Sequence, residues 1–173
     1  MKPPPLSVLR SEACLPSEVE RLLLDVVADG FVVYCCGPRA APFALVASYQ
    51  WEDYVDLVTI RGFDRVTTAR VPLPQHGRVD VFAPEVVVWA HEDPPQWALR
   101  ALLDLVHPQH PQAPANTFPA PPSLHIPRAE QRPMTIRLPS PDRARIRAAR
   151  LAAAMAAGGS DPIMANAGCL GKG

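Results

Sequence analysis

Ten of the 22 prolines fall between Pro108 and Pro141, and that density decides what the second half of the chain can become. Each proline removes a backbone donor and pushes the preceding residue out of the helical region. Neither a long helix nor a central strand survives such spacing, so the chain reads as two parts. Residues 1–107 carry 14 Asp/Glu against 9 Lys/Arg, a formal charge of −5. Residues 108–173 carry 3 acids against 8 bases, a formal +5. A net charge of zero thus hides an acidic body joined to a basic arm. Opposite halves of this kind point to binding, either of a partner or of one half by the other.

The body has the content of a folded domain. Apolar residues make up 48% of the 173, enough for a sizeable core and too many for wholesale disorder. No apolar run approaches the ~20 residues that cross a bilayer, and Met1-Lys2-Pro3-Pro4-Pro5 leads into no signal-peptide core. Four cysteines (Cys14, Cys35, Cys36, Cys169) form no Cys-x-x-Cys pair, so a disulfide framework is not expected and a cytoplasmic location is. Cys35 and Cys36 lie in a strand-like run, where neighbours face opposite sides, so one of the two should meet the core. Bases are 15 Arg to 2 Lys, and guanidinium forks suit carboxylate and phosphate partners.

Periodicity predicts a helix over Glu18–Asp29. Ser17 and Glu20 give it a capping-box spacing, Val19, Leu22, Leu23, Val26 and Val27 an apolar stripe, and Gly30 a stop. Strand patterns follow at Phe31–Cys36, Phe43–Tyr49, Tyr54–Arg61 and Arg65–Val71, joined by loops short enough for hairpins. A third pair, Arg78–Phe82 with Glu85–Ala90, is interrupted by Pro84. Connections this short exclude parallel crossovers. A second helix is expected from Pro94 to about His107, capped by Asp93 and ended by Pro108. The fold expected is α+β: an antiparallel meander of five to six strands with two packed helices, then an extended arm and a C-terminal Arg/Ala helix. The divisions are 1–107 (acidic domain), 108–141 (proline-rich arm), 142–157 (basic helix) and 158–173 (flexible tail).

The arm is more than a linker. Ser123-Leu124-His125-Ile126 and Met134-Thr135-Ile136-Arg137-Leu138 are sticky pieces, the second strand-like and fenced by Pro133 and Pro139. Leu124, Ile126, Ile136 and Leu138 are therefore interaction candidates, able to add a strand to a sheet edge in cis or in trans. Ser140-Pro141-Asp142 opens a helix to about Ala157 on which Arg143, Arg147 and Arg150 share a 60° sector, with Arg145 elsewhere. These four arginines fit an acidic protein surface, this chain's own body included, or phosphates. The helix has no Asn, Gln or Ser to read base edges. Trp89 reads as core, and Trp97, near the polar edge of its helix, as a candidate to stack on an arm proline.

Catalytic patterns are sparse. His91-Glu92-Asp93 and Trp51-Glu52-Asp53 both sit at strand ends and would serve acid–base chemistry only if they met on one rim. Against that, Asp93 reads as a cap and Glu52-Asp53 as loop acids. The His107/His110 pair lacks a third ligand, His76 and His125 read as surface, and nothing near Cys35 or Cys36 lowers a thiol pKa. Gly37, Gly62 and Gly77 are isolated, so no phosphate loop forms. No catalytic residue, metal ligand or cofactor is expected. The expectation is a non-enzymatic protein-interaction or regulatory module, binding a protein partner or a second copy by arm exchange, with no membrane contact. The competing readings are a nucleic-acid accessory protein using the four arginines, and a small enzyme near His91.

Overall fold

The computed structural model describes residues 17–158 apart from 63 and 76. The expectations for Cys14, His76, Cys169 and the tail from 159 onward lie outside the described residues. Helix α1 (Ser17–Ala28) turns its Val19, Leu22 and Val26 stripe inward and stops before Gly30, whose φ of +97° few other residues adopt. Strands β1 (Val32–Cys36), β2 (Ala44–Gln50), β3 (Tyr54–Ile60) and β4 (Val66–Pro72) then run as two hairpins joined edge to edge. Cys36 is buried and Cys35 half-buried, as alternation requires.

The third expected hairpin does not form. Arg78–Phe82 is not a strand, because Asp80 bends the chain there: its carboxylate accepts the Phe82 N–H at 2.9 Å and its carbonyl the Ala83 N–H at 3.2 Å. The following stretch splits at Val88 into β5 (Val86–Val87) and β6 (Trp89–Asp93). Strand β6 pairs with β4, while β5 pairs with β7 (Phe118–Pro119), a piece of the arm.

Helix α2 (Pro95–Leu103) is shorter than its pattern predicts. Asp93 does not cap it: Asp93 ends β6 opposite Val66, and the cap position falls to Pro94, which has no side-chain cap bond. Pro108 does not end it either, since the helix closes at Asp104. Carbonyls of the last turn are met by arginines of the arm: Leu102 O accepts from Arg147 at 2.9 Å and Leu103 O from Arg150 at 3.4 Å. Just past the helix, Val106 O accepts from Arg70 of the sheet at 2.8 Å. Cations at a helix C-terminus also suit its dipole.

The arm is not a separate extended tail. It completes the sheet. From β7 it crosses one face as a short 3-10 turn (Pro122–Leu124), then becomes strand β8 (Met134–Arg137), antiparallel to β1. It ends in a 3-10 turn (Arg143–Arg145) and helix α3 (Ile146–Gly158). The six-stranded sheet has the order β6-β4-β3-β2-β1-β8, with β8 as one edge. One face is covered by the three helices over a core that includes Phe31, Tyr49, Trp51, Val58, Leu99, Leu102 and Leu151. The other face has no helix. Coil from 73–85, the short β5–β7 pair and the rest of the arm cover it, with Leu124 and Ile126 set against Val55, Leu57, Val71, Cys36 and Val46. The arm thus passes from one face of the sheet, around the β1 edge, to the other.

Candidate interaction site

Two anchors hold the arm, and what they leave exposed defines the candidate surface. The first is hydrocarbon. Leu124 and Ile126 are fully buried, and the Ile126 N–H donates to Phe82 O at 2.7 Å. Arg61 reinforces this turn by donating to His125 O at 3.1 Å and pairing with Glu130 at 2.6 Å. Leu124 and Ile126 therefore serve this chain's own core.

The second anchor is ionic. Asp56, inside the sheet on the helix face, accepts from Arg70 at 2.6 and 2.9 Å, from the Trp51 indole N–H at 2.8 Å and from Arg147 at 3.1 Å. The side chains of Asp56, Arg70 and Arg147 have no solvent exposure. Arg147 reaches Asp29 as well, at 3.2 Å, and Arg150 joins Asp29 at 2.5 Å. Burying such charges is tolerable only when each is paired and hydrogen-bonded, and this network meets the condition with two acids and three arginines. One atom is left over: Arg147 Nε has no hydrogen-bond partner. The same guanidinium lies 5.3, 6.0 and 5.9 Å from the ring centres of Phe31, Tyr49 and Trp51, whose π faces offset part of that cost.

Tyr49 fixes where α3 begins. Its hydroxyl donates to Ala144 O at 3.0 Å and accepts the Ala148 N–H at 3.2 Å, one of the donors that a helix start leaves unpaired. Burial raises the Tyr49 pKa, against smaller opposing effects of the Ala148 hydrogen bond and Arg147, which keeps the proton that this bond donates. Gly30 completes the seat. A Cβ there would stand 2.1 Å from the Arg143 carbonyl oxygen, so glycine admits the arm's backbone.

The predicted interaction residues separate accordingly. Arg147 is buried and Arg150 paired, whereas Arg143 and Arg145 remain exposed. Arg143 leaves the expected sector because it lies in the 3-10 turn, where 100° per residue no longer holds. Trp97 is 56% exposed on the outer side of α2, and Trp89 is half-buried, packed against the helix-face core and stacked on His91 at 6.2 Å. Met134, Ile136 and Leu138 are 42%, 51% and 72% exposed along the β8 edge. Arg143 shares a shallow cleft with Leu138, so an exposed basic candidate adjoins this exposed apolar row, while Trp97 stands apart on α2.

The acid–base candidates do not meet. Asp53 lies beside Leu73, whose N–H donates to its carbonyl at 2.8 Å, while His91 pairs with Thr68, five residues back along β4. That is roughly 17 Å along a strand. Glu52 and Asp53 line a cleft of about 770 Å³ on the coil-covered face with Ser48, Gln50 and Arg78. His91 instead pairs with Asp93 at 3.2 Å, and Glu92 is held by Ser123 and Arg65, each at 2.6 Å. His107 does not approach a metal set either: its ring packs on Trp51 at 4.9 Å, and no group of three metal-ligating side chains occurs among the described residues. Burial and the neighbouring Cys35 push the Cys36 thiol up, away from the reactive thiolate.

Sequence reasoning missed Asp56, Arg70 and Trp51 as the receptor for Arg147. The signal was an acid and an arginine placed mid-strand in runs that are otherwise apolar or hydroxylic, where each charge needs a buried partner. A scan against family models, a search of curated proteins and a search of solved structures each found no match to this chain.

Proposed function

We propose that this chain is a protein-interaction module that acts by binding rather than catalysis, and that its contact surface is the β8 edge with the adjoining basic turn. The observation that carries this reading is the edge itself. Strand β8 pairs on one side only, and it presents Met134, Ile136 and Leu138 to solvent at the rim of a six-stranded sheet. Exposed sheet edges recruit extended segments through main-chain hydrogen bonds, with alternate side chains setting specificity. Arg143 and Arg145 would add steering toward acidic partners.

The nucleic-acid reading is weakened because Arg147 and Arg150, half of its arginines, are already paired with this chain's own carboxylates. No described helix is long and apolar enough to cross a membrane. Free Cys35 and Cys36 fit a reducing compartment, which supports placing the protein in the cytoplasm. A photo-crosslinking side chain at Ile136, compared in cells with one at the exposed Leu24 of α1, tests the surface. Adducts specific to Ile136 and lost on Leu138→Lys are expected. Equal labelling at both positions sinks the reading.

A further inference from the structure

We infer that the β8 edge pairs with β8 of a second copy of this chain, antiparallel about a two-fold axis at Ile136, joining two six-stranded sheets into one. The inference rests on the reading above that this edge is a contact surface, and it names the occupant.

Backbone polarity is the first argument. In the β1–β8 register, Cys35 lies opposite Thr135 and Val33 opposite Arg137. The next position of that ladder, Gly37 with Pro133, is bonded from Gly37 N to Pro133 O at 2.9 Å. Bonded pairs alternate along an antiparallel ladder, so Thr135 and Arg137 direct their N–H and C=O groups at β1. The backbone groups of Met134, Ile136 and, one residue past the strand, Leu138 consequently point outward. Proline normally defends an edge by deleting such donors. Here Pro133 and Pro139 fall on the alternate positions, whose N–H groups would face β1. They limit the strand's length and leave every outward donor between them intact.

Side-chain pairing is the second argument. A two-fold axis through Ile136 sets Ile136 opposite Ile136 of the other copy and Met134 opposite its Leu138. Each pairing is one in which both residues offer a donor and an acceptor. One surface of the joined strands becomes a continuous apolar row of the very side chains now 42–72% exposed. On the other surface Arg137 meets Thr135 of the second copy, so the two guanidinium groups lie diagonal and no like charges stand directly opposed. The edge is thus complementary to itself in hydrogen bonding, hydrophobicity and charge.

Area sets the strength. A strand of about five residues per side falls at the small end of specific interfaces, below ~1,200 Å² in total. The dimer should be reversible, with a dissociation constant on the order of 10–1,000 μM.

Sedimentation velocity of the full chain across that range tests it. The expected result is a monomer–dimer equilibrium weakened at least ~10-fold by Ile136→Lys. Ile136→Pro should weaken it similarly, since it deletes an outward N–H and leaves the bonds to β1 in place, with circular dichroism unchanged. In chains with Cys14 and Cys169 replaced by Ser, Ile136→Cys should form a disulfide-linked dimer on oxidation. Directly opposed residues stand ~5.5 Å apart between Cα atoms, within disulfide reach. Met134→Cys should not, because its own counterpart lies about four residues away along the strand, ~13 Å. Monomers at all concentrations, or equal cross-linking at 134 and 136, overturn the pairing. If the chain stays monomeric but Ile136 photo-adducts carry another protein's mass, this inference fails and the interaction reading stands. If Ile136 captures nothing, both fail.

Discussion

The arm is fastened to the two faces of one sheet by opposite kinds of physics. On the coil-covered face it lays down Leu124 and Ile126, and the contact is hydrocarbon on hydrocarbon. On the helix-covered face it inserts Arg147, held by Asp56 and Asp29. The apolar anchor scales with area and tolerates small shifts. The ionic anchor does not: a guanidinium displaced by an ångström is left buried and unpaired, and Asp56 and Asp29 keep only Arg70 and Arg150 as countercharges. The first gives the arm adhesion, and the second gives it register. Between them β8 is held mainly by backbone bonds, which is why its side chains remain outside.

The largest effect should come from attacking the ionic side. Asp56→Asn keeps the volume but removes the countercharge shared by Arg70 and Arg147, and it should cost about 3–5 kcal/mol. Urea unfolding with an unchanged m-value would measure it, and a loss under ~1 kcal/mol would falsify the assignment of this network as an anchor. On the apolar side, Leu124→Ala should cost about 2–5 kcal/mol. Ile136→Ala, from the second sticky piece, should stay within ~0.5 kcal/mol. Equal losses for the two would erase the distinction between buried and exposed pieces of the arm.

Backbone access comes next in size. At Gly30 the φ of +97° coincides with the 2.1 Å approach of a Cβ to Arg143 O. Gly30→Ala should cost at least ~1–2 kcal/mol from the left-handed conformation alone. Its signature is regional. Amide exchange should rise across Arg143–Gly158 while β3 and β4 stay protected. Exchange that rises in Ser17–Ala28 alone, or uniformly through the molecule, would show that Gly30 has no particular role in seating the arm.

Much of this was legible in the residues. The four strands of the body follow from alternation and short loops, α1 from its stripe, and the α+β class from their order. The strand character of Met134–Leu138 was visible between its prolines. Less visible were single side-chain bonds, local changes of pitch and contacts with distant partners. The Arg78–Phe82 run alternates like a strand, but Asp80 turns it, and a carboxylate accepting the N–H two residues on leaves no trace in hydropathy. Where helix α2 ends early, Arg147 and Arg150 of α3 receive its Leu102 and Leu103 carbonyls, across 45 and 47 residues of sequence. The arginine sector placed Arg147 and Arg150 on one side correctly and failed at Arg143, where a 3-10 turn changes the pitch. Local rules describe the elements, and long-range charges decide where they stop.

The smallest expected effect probes the edge of the ionic anchor. His107 packs edge-on against Trp51 at 4.9 Å, beside the Asp56–Arg70 pair. Its pKa is lowered, first by burial and then by the Arg70 charge, with Asp56 opposing in part. The folded protein therefore favours the neutral ring, while the unfolded chain takes up a proton near its ordinary ~6.5. Below that value the unfolded state binds more protons, so stability is complete above ~6.5 and is lost as pH falls through the depressed folded value. Solvent screens a half-buried ring, and the contribution should be well under ~1 kcal/mol. Urea midpoints at about pH 7.5 and 5.5 should differ more for the natural chain than for His107→Gln, and Glu92, whose pKa is lowered mainly by its Ser123 and Arg65 hydrogen bonds, titrates below this window. An identical pH slope in both chains would separate His107 from the ionic anchor and leave Arg147 to hold α3 without a proton-sensitive neighbour.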